Sequence, residues 1–265
     1  MTGRGHSVNL LPTHPNQAIF TQRCLAIPSH ATAVVVGGDG TFRHFIQCMP
    51  ALPALAFYGM GTANVLRIEL GIPKNIPAFV SMLETGHTLP VRPGIADHKT
   101  FFTMMYSFGI DSYVLAHVSQ KWKNYIGKLA FLWPCLKSLF KFQPEPVTLT
   151  LDQQLQFTAY FGIISRIRHY GGPFQVAPDA DPRDPFLHII IQTKPGLFPT
   201  LRFFANTALN RLQANQEIQI LRAERIDFSQ ESAKVHAQMD GDPLPIPFQT
   251  LAVSDRIIPL IVPVS

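Results

Sequence analysis

Apolar and polar positions follow two different rhythms along this chain, and the change between them divides it. In the first third, short apolar runs stop at glycine-rich breaks and give way to helical spacing. Val34, Val35 and Val36 end abruptly at Gly37-Gly38-Asp39-Gly40-Thr41, after which Phe42, Phe45, Ile46 and Met49 recur at i, i+3, i+4 and i+7. The pattern predicts a buried strand, a glycine turn and a helix opened by Thr41. It then repeats: 54–58 reads as a strand, Gly59-Met60-Gly61-Thr62-Ala63-Asn64 as a loop, and 65–70 as a helix closed by Gly71-Ile72-Pro73. Around these units, 10–12 reads as the end of a strand. Pro15 begins a helix whose face is Ile19, Phe20, Cys24 and Ile27, and 77–84 is a helix closing at Gly86.

From His87 onward the helical period gives way to apolar runs cut by Pro, Gly and Asp. Residues 101–108, 147–151, 157–165, 187–193 and 218–223 read as strands. The predicted fold class is α/β: a three-layer nucleotide-binding domain over 1–90, truncated at its front, and a β-rich, sandwich-like domain over 91–265, with the last strand able to return to the first domain. Two helical stretches interrupt the second part. Residues 121–142 mix five lysines with Trp122, Tyr125, Phe131, Trp133 and Phe140, and suit either a helix lying on a membrane interface or an ordinary amphipathic helix. Residues 197–212, with Phe198, Leu201, Phe203, Phe204 and Leu209, read as a core helix.

At 265 residues with 46% hydrophobic composition, the chain can bury the cores of two domains. A formal charge of +5 on only 15% charged residues argues against nucleic acid and for an anionic ligand or membrane surface. Cys24, Cys48 and Cys135 stand at no paired spacing, the histidines form no zinc pattern, and the opening residues are polar, not a signal peptide. A cytoplasmic protein, peripheral at the inner face of the membrane, is the expectation.

The two glycine loops carry the chemistry. Glycines let backbone N–H groups approach an anion closely, and a helix N-terminus favours phosphate. Asp39 would repel phosphate unless a cation or a proton lies between. Alone, the first loop could equally be a bend that glycine merely permits; two in succession place both at the carboxyl ends of parallel strands, where open α/β sheets bind ligands.

Gly37 to Thr41, Gly61-Thr62-Ala63-Asn64, Phe108-Gly109-Ile110-Asp111, Lys128-Leu129-Ala130-Phe131, Tyr170-Gly171-Gly172-Pro173-Phe174, Ala177-Pro178-Asp179-Ala180 and Asp240-Gly241-Asp242-Pro243 together resemble the bacterial diacylglycerol kinase-like lipid kinases, in order and spacing. The resemblance implies an α/β nucleotide domain, a β-rich second domain and an active site in the cleft between them. It also implies ATP-dependent phosphorylation of a lipid alcohol such as diacylglycerol. Gly37, Gly38, Asp39, Gly40 and Thr41 would hold the ATP phosphates, with Gly61, Thr62, Asn64 and Thr13 completing the nucleotide site. Asp39 would act through Mg2+. Asp242, preceded by Asp240, stands where the family has its catalytic glutamate. Asp184, with the carbonyls of Asp181 and Phe186, matches a structural magnesium site, with Pro185 in place of the usual glycine. Members usually begin with a strand and an Asn-Pro-x-Ser-Gly loop, for which nothing ahead of Leu10 could serve. Read without the resemblance, 240–243 is a surface turn and 179–185 a plain loop. The rival functions are a catalytically impaired lipid- or nucleotide-binding protein and, further off, an NAD kinase.

Overall fold

The computed structural model describes residues 5–49, 51–117, 142–230, 235–245 and 247–264; the lysine-rich helix expected over 121–142 falls, Phe142 apart, outside the described residues. The chain forms two compact units, Met1–Arg92 with Arg256–Ser265, and Pro93–Asp255.

The first unit comprises α1 (Gln17–Cys24), β1 (Thr32–Gly37), α2 (Asp39–Cys48), β2 (Ala54–Gly59), α3 (Val65–Glu69), α4 (Ile76–Thr85), β3 (His87–Val91) and, from the chain's end, β18 (Ile258–Val262). Their sheet runs β1-β2-β18-β3. β1 and β2 pair in parallel from Thr32↔Ala54 to Gly37↔Gly59, so both strands deliver their glycine loops at one level. The buried face of α2 carries Phe42, Phe45 and Ile46, and Phe42 packs on Phe57 with ring centroids 5.1 Å apart. Arg256 closes the other end of α2, donating to the carbonyls of Ile46 and Met49, where a cation suits the negative end of the helix dipole.

The second unit holds β4 (Gly94–Ala96), β5 (Thr100–Phe102), β6 (Met105–Phe108), α5 (Ile110–His117), β7 (Val147–Leu151), β8 (Leu155–Ala159), β9 (Phe161–Ser165), β10 (His169–Tyr170), β11 (Phe174–Gln175), β12 (Leu187–Gln192), α6 (Leu197–Ala208), β13 (Ile218–Ala223), β14 (Arg225–Gln230), β15 (Ala237–Met239), β16 (Asp242–Leu244) and β17 (Thr250–Val253). Two antiparallel sheets, β13-β12-β9-β6-β15-β16 and β5-β4-β17-β14-β7-β8, enclose a core that includes Phe102, Tyr106, Phe108, Leu149, Ile164, Ile189, Ile226, Met239 and Leu251. The mixed α/β first unit and β-sandwich second unit are the architecture expected from the two rhythms.

Local departures have local causes. α2 begins at Asp39, two residues before Thr41, because Gly38 in extended conformation serves as its N-cap. α1 begins after Asn16, whose side chain accepts from the Ile19 N–H at 3.1 Å. Residues 10–12 join no strand, and Leu10 is 91% exposed. The run 101–108 breaks at Thr103 because a carboxylate from a distant turn takes the N–H groups of 103–105. The run 157–165 breaks at Tyr160 and changes sheets there. The core helix expected over 197–212 forms as α6 with Phe203 buried, but it also buries Thr200 and Thr207 and exposes Phe198 and Leu201, with Leu209 exposed at its C-cap. Among the described residues no helix is long and apolar enough to cross a membrane.

Candidate active site

In the first unit the two glycine loops touch. A Cβ on Gly61 would lie 2.8 Å from Gly38 Cα, and one on Gly37 would lie 2.7 Å from Thr41 Oγ1. Only glycine permits this approach. The Met60 N–H donates to the Gly37 carbonyl at 2.7 Å, fastening the second loop to the end of β1. Gly40, Gly61 and Thr62 are exposed beside the N-terminus of α2, where the helix dipole is positive and Gly38 brings no capping side chain. This cradle fits phosphate. Asn64 adopts left-handed backbone at φ 47°, donates from Nδ2 to the Gly61 carbonyl at 2.5 Å, and leaves its buried Oδ1 without a protein donor. Thr13 is exposed, next to His14, whose carbonyl is bound to His44 Nε2 of α2 at 3.0 Å.

Asp39 takes a different part from the expected one. Its Oδ2 accepts the Val65 N–H at 2.9 Å and its Oδ1 the Leu66 N–H at 3.3 Å, capping α3 from another loop. The carboxylate thus ties the two loops together and neutralises amides at the start of α3, instead of presenting both oxygens to a cation.

In the second unit the turn between β15 and β16 carries Asp240-Gly241-Asp242. Asp240 is buried at 6% exposure. Its carboxylate accepts from the N–H groups of Thr103 at 2.9 Å, Met104 at 2.9 Å and Met105 at 3.0 Å, and from Thr103 Oγ1 at 3.3 Å. Asp240 is therefore framework, not a reacting group. Both Asp240 (φ 51°) and Gly241 (φ 87°) are left-handed, which turns the chain sharply and presents Asp242, exposed, at the start of edge strand β16.

A buried polar chain supports this turn. The Gly241 N–H donates to Gln238 Oε1 at 2.8 Å, Gln238 Nε2 to Ser107 Oγ at 2.6 Å, and Ser107 Oγ to Asp111 Oδ2 at 2.5 Å, which also accepts from Tyr170 OH at 3.1 Å. Asp111 Oδ1 accepts from the N–H and Oγ of Ser112. Three motifs far apart in sequence, at Asp111, Tyr170 and Gly241, are joined by these bonds. Ser107 and Gln238 were not singled out by sequence reasoning, because nothing in a β-strand's alternation reveals which buried polar groups will meet. Burial pushes the Asp111 carboxyl above the usual carboxylate range, against the opposing donors Ser107, Ser112 and Tyr170. A carboxyl whose pKa is higher folded than unfolded favours folding most when protonated, so its contribution is full in acid and is lost as pH rises through the folded value. Asp111→Asn should remove that decline: across acid to neutral pH, the melting temperature of the variant is expected to fall less than that of the wild type. Parallel profiles would overturn this reading of Asp111.

The loop after Ala180 does not fit a magnesium ion. Arg166, fully buried, donates from Nη1 to the Phe186 carbonyl and from Nη2 to the carbonyls of Asp184 at 2.7 Å and Pro182 at 3.2 Å. Asp184 Oδ2 is held by His188 Nε2 at 2.8 Å and the Asp181 N–H at 3.0 Å, while both Asp181 carboxylate oxygens face Arg183. Of the expected ligands, Phe186 O is taken by a guanidinium, and a second cation beside it would be repelled. Arg166 is the residue the sequence reading missed here. Its signal is a lone charge inside the apolar run from Phe161 to Ile167. Elsewhere among the described residues no cluster of His, Cys, Asp and Glu suits a metal.

Residues 2–95 match the family model of the diacylglycerol kinase catalytic domain, and residues 104–264 that of the YegS C-terminal NAD kinase beta sandwich-like domain. The chain therefore belongs to the diacylglycerol kinase-like family. It is 27% identical over 177 residues to the "Probable lipid kinase YegS" of Escherichia coli O1:K1 / APEC, and 26% identical over 174 residues to the "Probable lipid kinase YegS-like" protein of Klebsiella pneumoniae (strain 342). Each match covers 64% of this chain and spans 59% of the relative's length. The fold is shared with a diacylglycerol kinase from Bacillus anthracis str. Sterne, at TM-score 0.66 and 20% identity over 93% of this chain and 80% of that one. It is shared more distantly with yeast NADH kinase complexed with NADH, at TM-score 0.53 and 12% identity over 92% of this chain and 64% of that one.

Proposed function

We propose that this protein is an ATP-dependent lipid kinase that transfers the γ-phosphoryl group to the hydroxyl of a lipid alcohol such as diacylglycerol. The observation that carries the reading is the apposition of Gly38 and Gly61 at the N-terminus of α2, an anion cradle that a single methyl group would fill. Gly37 to Thr41, Gly61 and Thr62 would hold the nucleotide's phosphates through backbone N–H groups other than that of Thr41, which is bound to the Gly38 carbonyl, and Asn64, with its unpaired Oδ1, would border the same loop. ATP would arrive as its magnesium complex, the metal belonging to the substrate. No step is assigned to a resident metal: Asp39 caps α3, and the Phe186 carbonyl beside Asp184 is bound by the Arg166 guanidinium.

Asp242 would accept the proton of the lipid hydroxyl as its oxygen attacks the γ-phosphorus. The bond from phosphorus to the bridging oxygen breaks and ADP leaves. Phosphoryl transfer depends chiefly on position and on neutralising the spread charge, which a ring of backbone donors at a helix N-terminus supplies without reorganisation. Purified protein with radiolabelled ATP, magnesium and mixed micelles containing diacylglycerol should yield labelled phosphatidic acid. If no lipid is labelled across a panel of lipid alcohols while ATP still binds, the chain is a binding member of the family; NADP formed from NAD and ATP would point to the other branch of the fold.

A further inference from the structure

α6 carries apolar residues on two faces, an inner one with Phe203 and half-buried Phe204 and an outer one left in solvent. Its buried positions Thr200, Phe203 and Thr207 include two hydroxyls, while Phe198, Leu201, Ala205 and Ala208 are exposed and continue into exposed Leu209. At helical spacing these exposed residues form one stripe directly opposite the buried one. The two threonines can be buried cheaply because each donates to the carbonyl four residues back, Thr200 Oγ1 to Gly196 and Thr207 Oγ1 to Phe203, both at 2.9 Å. The fold therefore spends polar residues inside and leaves Phe198 at 84%, Leu209 at 62% and Leu201 at 38% exposure outside. Phe174, 42% exposed, stands near the C-terminal end of the helix, since the neighbouring Gln175 N–H donates to Asn210 Oδ1 at 3.2 Å.

We propose that this face of α6 is where the protein docks on a bilayer surface carrying anionic headgroups, with Phe198, Leu201 and Leu209 entering the acyl boundary and Lys194, Arg202 and Arg211 meeting the headgroups. Charge decides the occupant. From His188 to Gln216 the sequence holds these three cations and no Asp or Glu. Arg202 lies beside the apolar stripe, its side chain 62% exposed, with the mostly buried Glu217 carboxylate 3.7 Å away; with five N–H donors the guanidinium can keep that contact and still face a charged interface. A second copy seated symmetrically on the stripe would bring like cations together, whereas an anionic surface satisfies them all. The first turn of the helix supplies the other half of the argument: Leu197 and Thr200 also wall a cavity of about 150 Å³ with Ile110, Tyr160 and Phe161. An apolar stripe with basic residues and an aromatic tip beside a cavity is the composition of an interfacial helix, not of a solvated one.

The test needs no turnover, so it stands or falls separately from the kinase reading. The full chain is co-sedimented with vesicles of phosphatidylcholine alone and of phosphatidylcholine with phosphatidylglycerol. Wild type should partition onto the second kind, and less so as salt rises. Joint replacement Phe198→Ser and Leu209→Ser should weaken partitioning by about tenfold or more with little change in melting temperature, since at 84% and 62% exposure both side chains are already largely in water. Joint replacement Arg202→Gln and Arg211→Gln should remove the preference for phosphatidylglycerol while leaving the weak binding to phosphatidylcholine. Equal sedimentation of the serine variant and the wild type would overturn the proposal. So would a wild type that dimerises through this face and binds neither vesicle.

Discussion

Asp242→Asn is expected to lower lipid phosphorylation by about two to four orders of magnitude, the usual worth of a positioned general base, with ATP affinity and melting temperature unchanged. The change is isosteric and the residue is exposed. Neither the Asp240 carboxylate, buried under three main-chain donors, nor the Gly241 N–H bond to Gln238 involves the Asp242 side chain. Loss of rate without loss of nucleotide binding is the signature of a group that acts on the acceptor. The companion variant, Asp242→Glu, carries the carboxylate one methylene further out, to the length the family resemblance expects at this position. Because a misplacement of about 1 Å can cost about a hundredfold, the glutamate should raise kcat if reach limits the natural chain. Steady-state kinetics with labelled ATP measure both. An asparagine variant as active as the wild type would remove Asp242 from the reaction, and Asp240, with its oxygens committed to the 103–105 amides, could not take its place.

The contrast between these two aspartates marks where the sequence was readable. The apolar run into Gly37-Gly38-Asp39-Gly40, and its repetition at Gly59 to Asn64, announced strand, turn and helix through purely local rules: period, glycine and the start of an amphipathic face. The structure keeps both units, and adds that the glycines serve each other, Gly38 against Gly61. What local rules could not supply was the partner of a charge. Asp39 and Asp240 look alike in sequence, each beside a glycine in a turn, and the resemblance gave both a chemical role. Each instead accepts backbone N–H groups far along the chain, Asp240 from residues 135 to 137 positions away and Asp39 from 26 and 27. α6 is a mixed case: the helix forms with Phe203 in the core and Phe204 packed on Phe161, but its other apolar residues divide between two faces. A count of apolar residues over 197–212 says that one face is buried without saying which. Threonine hydroxyls that bond back into their own helix let Thr200 and Thr207 join Phe203 on the buried face.

Arg166→Ala should be among the most destabilising single changes in the second unit. The guanidinium is fully buried, and its two terminal nitrogens bind three carbonyls of one loop, those of Pro182, Asp184 and Phe186. Truncation removes the bonds, strands the acceptors and opens a cavity, a combination costing on the order of 3 kcal/mol or more. For a chain of this size that corresponds to a fall of about 10 °C in melting temperature. Arg166→Lys should fall between, because an ammonium is a point charge and cannot span carbonyls as a planar fork does. Arg183 is paired to Asp181 and Arg222 to Asp179, so two of the three acidic groups of this loop already have organic counter-ions, while Asp184 is held by His188 Nε2 and the Asp181 N–H. A divalent ion at the Phe186 carbonyl would sit beside the Arg166 guanidinium and be repelled by it. The wild-type melting temperature should accordingly be indifferent to chelator and to added magnesium. A fall of several degrees on chelation, or an Arg166→Ala protein as stable as the wild type, would return the loop to a metal and strip the arginine of its role.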